Sequence, residues 1–245
     1  KREEPIVQEL ANEYLTEQGI TILNDVTLNS VSNDGNKPVI TANGQNYTFD
    51  AVLYATGRKP NTANIGLENT DITTNERGAI VVNDTCESSV PGVYAVGDVN
   101  GGPQFTYISL DDFRIVFGAL TGNVQYTLKD RKNIPYTTFL TPPLARVGLT
   151  EEDAINKGYT VKTKEMLVAT MPRAHVNDYL KGAFKIVVNA ENNLILGATL
   201  YSQGAEELIN LIKMAMDNNI PYTYFKNQIF THPTMAENLN DLCNF

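Results

Sequence analysis

The chain has 245 residues, 42% hydrophobic and 19% charged, enough for one large domain or two modest ones with real cores. Its net charge of −9, from 28 acidic against 19 basic residues, argues against nucleic acid or an anionic membrane surface as the main partner. No apolar run is long enough to span a bilayer, and two distant cysteines, Cys86 and Cys243, exclude a disulfide framework and a zinc site, so a reducing, cytoplasmic setting is expected and no metal ligands are assigned.

The stretch "PIVQELANEYLTEQG" reads as a helix, with Ile6, Leu10, Tyr14 and Leu15 on one stripe and Gly19 as its stop. Strand signals follow in "ITIL", "DVTLNSVS", "KPVITANG" and "QNYTF", punctuated by "NDG" and "ANG" turns. The apolar run "DAVLYATG", ending at Gly57, predicts a buried strand, and "RKPNTANIGLEN" a crossing loop in which Arg58 and Lys59 are solvated. "GAIVV" predicts a short strand and Val93–Val96 a second buried one. A glycine-rich loop, "NGGPQF", leads into an amphipathic helix starting near Thr106. The polar "TLKDRKNIP", with the densest basic cluster and a proline, reads as a linker between domains.

Beyond it lies a compact α/β unit. "TTFLTPPLARVG" is extended, and "TEEDAINKG" is a helix capped by Thr150 with Asp153 three residues on. "FKIVVNA" and "LILGATLYS" form a hairpin around "ENN". "AEELINLIKMAMDN" is a helix with Ala205, Leu208, Ile209, Ile212 and Met216 facing inward. His175 lies in a polar loop and receives no role, Cys86 reads as structural, and Cys243 as a free tail cysteine.

Two places carry chemistry. In "VYAVGDVNGGPQFTYISL" a strand ends in Gly97-Asp98, a glycine-rich loop follows, and a helix begins. Ligands of open α/β folds bind at such strand ends. Gly97 permits close backbone approach, Asp98 can accept from sugar-type hydroxyls, and a helix start suits negative charge. Spacing alone supports an ordinary turn equally well. The second place is "THPTMAENL": His232 is fixed against Pro233, with Glu237 five residues on. Pro233 disfavours helical backbone at His232, which places the imidazole just before a helix. An imidazole titrates near ~6.5, so it can take and return a proton at neutral pH, and a carboxylate on its other nitrogen fixes the tautomer. Thr234-x-x-Glu237 is also a capping-box pattern, with Met235, Leu239 and Leu242 as packing face, and Glu237 can serve both ends.

"ATGRKPN", "VYAVGDVNGGPQ" about forty residues later, and "THPTMAE" near the C-terminus together resemble the class I pyridine nucleotide-disulfide oxidoreductases: glutathione reductase, dihydrolipoamide dehydrogenase and mercuric reductase. "QFTYISLDDFRIV", "DRKNIPY", "LTPPLARVGLTEE" and "QIFTHPTMAENLNDL" are most similar to the reactive-chlorine-resistance flavoproteins, some of which reduce hypothiocyanous acid. The resemblance implies an α/β fold in which an α+β dimerisation domain, residues 133–245, follows partial dinucleotide-binding domains. Residues 1–60 would end an NAD(P)-binding domain, and residues 61–132 would be the returning segment of an FAD-binding domain. Asp98 and Gly97 would meet the ribityl chain of FAD. Gln104, Phe105, Thr106 and Tyr107 would run along the flavin edge, where the helix dipole favours the charge of the reduced cofactor. Gly57 would lie near the pyridine nucleotide. His232 would be the acid-base residue for a thiol and Glu237 its partner.

The resemblance also exposes absences. The family's G-x-G-x-x-G fingerprints and its redox-active C-x-x-x-x-C do not occur here. The chain therefore reads as the C-terminal portion of a longer homodimeric enzyme that reduces a disulfide or small oxidant with NAD(P)H through FAD. Alone it is expected to bind FAD weakly and to be inactive. A non-catalytic dimerisation module is the competing reading. An NADH oxidase of the same scaffold fits less well, because the His-Glu pair serves thiols. The single Cys243, where mercuric reductases carry a vicinal pair, weakens a mercuric reductase reading.

Overall fold

The computed structural model describes residues 2–245 and divides into two compact units. One comprises the residues up to Leu23 together with Lys132–Phe245; the other is Asn24–Arg131. The division falls inside the basic "TLKDRKNIP" stretch.

The first unit is built on a five-stranded antiparallel sheet of order β4-β5-β8-β7-β6. Its strands are β4 (Tyr136–Thr138), β5 (Leu144–Gly148), β6 (Val161–Leu167), β7 (Ala183–Asn189) and β8 (Ile195–Tyr201). The expected hairpin is β7–β8. Every residue of β7 is buried, because helices cover both faces of the sheet. Side chains alternate across a strand, so Phe184, Ile186, Val188, Ala198 and Leu200 join one core with Leu208, Ile209 and Ile212 of α5 (Ala205–Asp217). On the other face Leu144 and Tyr201 meet Val7 and Tyr14 of α1 (Pro5–Glu17). Val7 is thus the deepest residue of α1, with Ile6 and Leu10 only half-buried; Gly19, at φ +83°, terminates it as expected.

A buried ammonium ties α1 to this sheet. Lys185 of β7 is 5% exposed and lies 2.7 Å from Glu151 and 3.0 Å from both Glu4 and Glu165. Glu4, itself 2% exposed, also accepts the Glu151 N–H at 2.8 Å at the start of α3 (Glu151–Asn156). Thr150 caps α3 as predicted, accepting from Asp153 N at 3.1 Å.

The second unit has the antiparallel meander β1 (Leu28–Asp34), β2 (Lys37–Ala42), β3 (Gln45–Thr48) and the helix α2 (Thr106–Leu120). Asn43 and Gly44, at φ +51° and +75°, make the two-residue turn that the "ANG" signal predicts. Four expected strands are not formed. Residues 20–23 and 51–57 pair with nothing in a sheet, and Leu53 and Tyr54 are 91% and 65% exposed. The 93–96 stretch keeps a single bridge, Glu87 to Tyr94, with Val93 and Val96 exposed; "GAIVV" likewise keeps only the bridge Thr74 to Ile80. A buried strand needs neighbours on both edges and cover on both faces, and the meander supplies neither. Among the described residues no helix is long and apolar enough to cross a membrane.

Candidate active site

In the first unit, the segment after α6 (Tyr222–Asn227) leads to His232, whose bond to Pro233 is cis, and then to α7 (Asn238–Leu242). The histidine stands before the helix, as Pro233 requires. Its Nδ1 lies 2.8 Å from Glu237 Oε2; the imidazole is 72% exposed and the carboxylate only 16%. The paired Nδ1 orients the ring, and Nε2 has no hydrogen-bond partner among the described residues. The capping pattern is half realised. Glu237 N–H donates to Thr234 Oγ1 at 3.3 Å, but the Glu237 carboxylate goes to His232.

Side-chain amides shape this segment. Asn238 Nδ2 donates to Met235 O at 3.0 Å, and Asn240 Nδ2 donates to Phe225 O at 2.6 Å and Gln228 O at 2.9 Å. Leu239 and Leu242 are fully buried in the sheet's main core, the packing face expected for them. Cys243 is free, as expected, and equally buried; burial pushes its thiol up to about 12. His175 sits in the short helix α4 (Pro172–Val176), with Nε2 2.8 Å from Ala169 O.

The second unit gathers another set. Gly97, Asp98, Gln104, Phe105 and Thr106 line one cavity of about 490 Å3 together with Arg58, Val96 and Ser109. No side chain caps the start of α2 there; Phe105 and Ile108 N–H donate to backbone carbonyls, which leaves the Thr106 and Tyr107 N–H groups for an anion. Gly97 has φ +72°, and a Cβ on it would meet Ser109 Oγ at 2.7 Å, so glycine is required on both counts. Asp98 Oδ2 accepts from Arg58 Nη1 at 3.0 Å, while the arginine side chain stays 70% exposed, as its solvated loop predicts. The two expected residues outside the cavity lining are Tyr107, whose hydroxyl accepts from Arg114 at 3.1 Å, and Gly57, at φ +113° in exposed backbone.

Sequence reasoning missed the groups beneath this cavity. Asp112 is fully buried and accepts from Gly97 N at 2.7 Å, Asn100 Nδ2 at 2.9 Å and Arg131 Nη2. Arg131, in the supposed linker, is a 10% exposed ion-pair partner. The signal was present: Ile108, Asp112 and Ile115 share the helix face that is buried, which puts a carboxylate in a core stripe. Cys86 lies nearby, fully buried as a structural thiol should be; burial, then the Asp112 charge, raises it to about 11.

Comparison with known proteins assigns the chain to a family. Residues 1–112 match the profile described as pyridine nucleotide-disulphide oxidoreductase, and residues 134–243 match the dimerisation domain of the same enzymes. The probable pyridine nucleotide-disulfide oxidoreductase RclA of Escherichia coli is 43% identical over 93% of this chain and 52% of its own length. A Staphylococcus aureus mercuric reductase is 36% identical over 98% of this chain and 44% of its own length. The solved HOCl-induced flavoprotein disulfide reductase RclA from Escherichia coli superposes with a TM-score of 0.94 at 41% identity, covering 99% of this chain and 56% of that one. The chain thus spans about half the length of the curated relatives it matches. With both profiles from one enzyme class in consecutive order, the chain belongs to the pyridine nucleotide-disulfide oxidoreductase family.

Proposed function

We propose that this chain is the C-terminal portion of an FAD-dependent, NAD(P)H-driven reductase of a disulfide or small oxidant, working as a homodimer through residues 133–245. Residues 1–60 would close the NAD(P)-binding domain and residues 61–132 would return to the FAD-binding domain. The observation that carries the reading is the His232–Glu237 pair, 2.8 Å apart on a segment anchored in the core.

The cavity residues suit FAD. Asp98 offers a carboxylate to ribityl-type hydroxyls, Gly97 keeps the backbone approachable, and the uncapped start of α2 offers N–H groups and a partial positive charge to the anionic parts. Gln104, Phe105 and Thr106 would complete the cavity wall. Tyr107, beside them on α2, and Gly57 would contact the cofactors from outside it. FAD, when bound, would relay an electron pair between NAD(P)H and a cysteine pair supplied by the rest of the enzyme.

His232 would then hold and release the thiol proton at Nε2, the nitrogen that Glu237 leaves unpaired, while Glu237 fixes the tautomer through Nδ1. The burial of Cys243, which raises its thiol above the ordinary range, disfavours it as a mercury-binding tail thiol. His232→Ala in the full-length enzyme should slow the thiol half-reaction about 100-fold or more while sparing flavin reduction by NAD(P)H, as read by anaerobic stopped-flow. An unchanged thiol half-reaction would remove the histidine from the mechanism.

A further inference from the structure

The carboxylate that organises the cavity does not line it. Asp112 is on α2, six residues after Thr106 and so about 9 Å along the helix. Its Oδ2 accepts both the Gly97 N–H, at 2.7 Å, and Asn100 Nδ2, at 2.9 Å. Asn100 Oδ1 in turn accepts from Gly102 N at 3.0 Å. The turn bearing Asp98 and the glycine loop before α2 therefore both depend on one carboxylate.

That carboxylate is a liability as well as a strut. A buried negative charge costs several kcal/mol unless it is paired. It also opposes the partial positive charge that makes the start of α2 suitable for an anion. Arg131 answers both problems. Its Nη2 donates to Asp112 Oδ1 and its Nε to Asp111 Oδ2 at 2.7 Å, a fork that a lysine ammonium does not reproduce. Asp111 has further partners in Arg114, at 4.0 Å, and the Tyr126 hydroxyl, at 3.3 Å. Asp112 has Arg131 as its only cation among the described residues.

We propose that Asp112 and Arg131 are positioning residues for the flavin: Asp112 sets the geometry of the Gly97-Asp98 turn, and Arg131 neutralises Asp112 so that the field at the start of α2 stays positive. This rests on the FAD reading above.

The two roles separate by sign. In the full-length flavoprotein, Arg131→Met leaves Asp112 uncompensated, so the flavin becomes harder to reduce and its midpoint potential moves negative. Asp112→Asn removes the negative charge and keeps Arg131, held by Asp111, so the potential moves positive. Both weaken FAD binding to the apoprotein, by about tenfold for a lost set of charged hydrogen bonds. Arg131→Lys restores the potential toward wild type, without full affinity. A purely structural role predicts weaker binding and lower thermal stability but no opposed shifts. If one variant does not fold, the direction of the other still decides. Shifts of the same sign, or FAD affinity and potential unchanged in the folded variants, overturn the proposal while leaving the FAD reading intact. Wild-type protein that takes up no FAD overturns both.

Discussion

The two units cover their sheets in opposite ways. In the first, β7 is buried along its whole length and α5 and α1 cover opposite faces of its sheet. In the second, β1 is exposed along its whole length, and Leu53, Leu120 and Phe117 are 91%, 67% and 57% exposed. Both units contain apolar runs that read as strands. Apolar composition states that a segment needs cover; only neighbouring elements decide whether it has any. The first unit therefore holds its candidate dyad on a finished core, whereas the second holds its cavity on a local polar network around Asp112.

The largest effect that would test this contrast lies at Lys185. Replacing it with Met leaves the buried Glu4 carboxylate without its cation, at a cost of about 3–5 kcal/mol. The urea midpoint should fall accordingly, with the cost near the lower end because Glu165 and Glu151 are 43% and 37% exposed and can turn to water. A loss below about 1 kcal/mol would mean that α1 is held by Val7 and Tyr14 alone, and that the first unit relies on its apolar core without the ionic tie.

The same contrast explains what the sequence revealed. The β7–β8 hairpin, α5, the Thr150 cap and the His232–Glu237 pair were legible because each depends on local pattern or short spacing. For Gly97 and Asp98 spacing left an ordinary turn equally open, and Gln104, Phe105 and Thr106, which line the same cavity, entered only through the family resemblance. The 51–57 run was misread because its burial needs partners that no local pattern reveals. Arg131 was misread because a basic cluster beside a proline looks solvated, and its pairing with Asp112 spans nineteen residues. The short helices α4, α6 and α7 and the strand β6 have weak periodicity and take their form from the core they cover.

A smaller effect separates the buried thiol of the first unit from an exposed one. Cys243 is raised from 9.0 to about 12 by burial, so between these values the unfolded chain releases a proton that the folded chain retains. The native state then binds more protons, and stability falls as pH rises, by about 1.4 kcal/mol per pH unit across that window, while the contribution is intact below pH 9. Cys243→Ala should make this part of the stability–pH curve shallower by the share of that thiol, with Cys86, raised to about 11, and Tyr201, raised to about 12, still contributing in parallel. A slope identical in wild type and variant would place the thiol in contact with water.

The smallest expected effect is the most pointed. Leu53→Ser removes an apolar side chain from the centre of the run that reads as a buried strand. At 91% exposure the side chain has almost no transfer energy to lose, so the urea midpoint of this chain should move by no more than about 0.5 kcal/mol. Leu242→Ala, at 0% exposure, should cost about 2–5 kcal/mol by the cavity it leaves and should loosen α7 beside Glu237. If Leu53→Ser instead costs more than about 1 kcal/mol, residues 51–57 are covered in solution and the second unit is better packed than its exposed meander indicates. Equal costs at the two leucines would abolish the distinction between a finished core and an uncovered one.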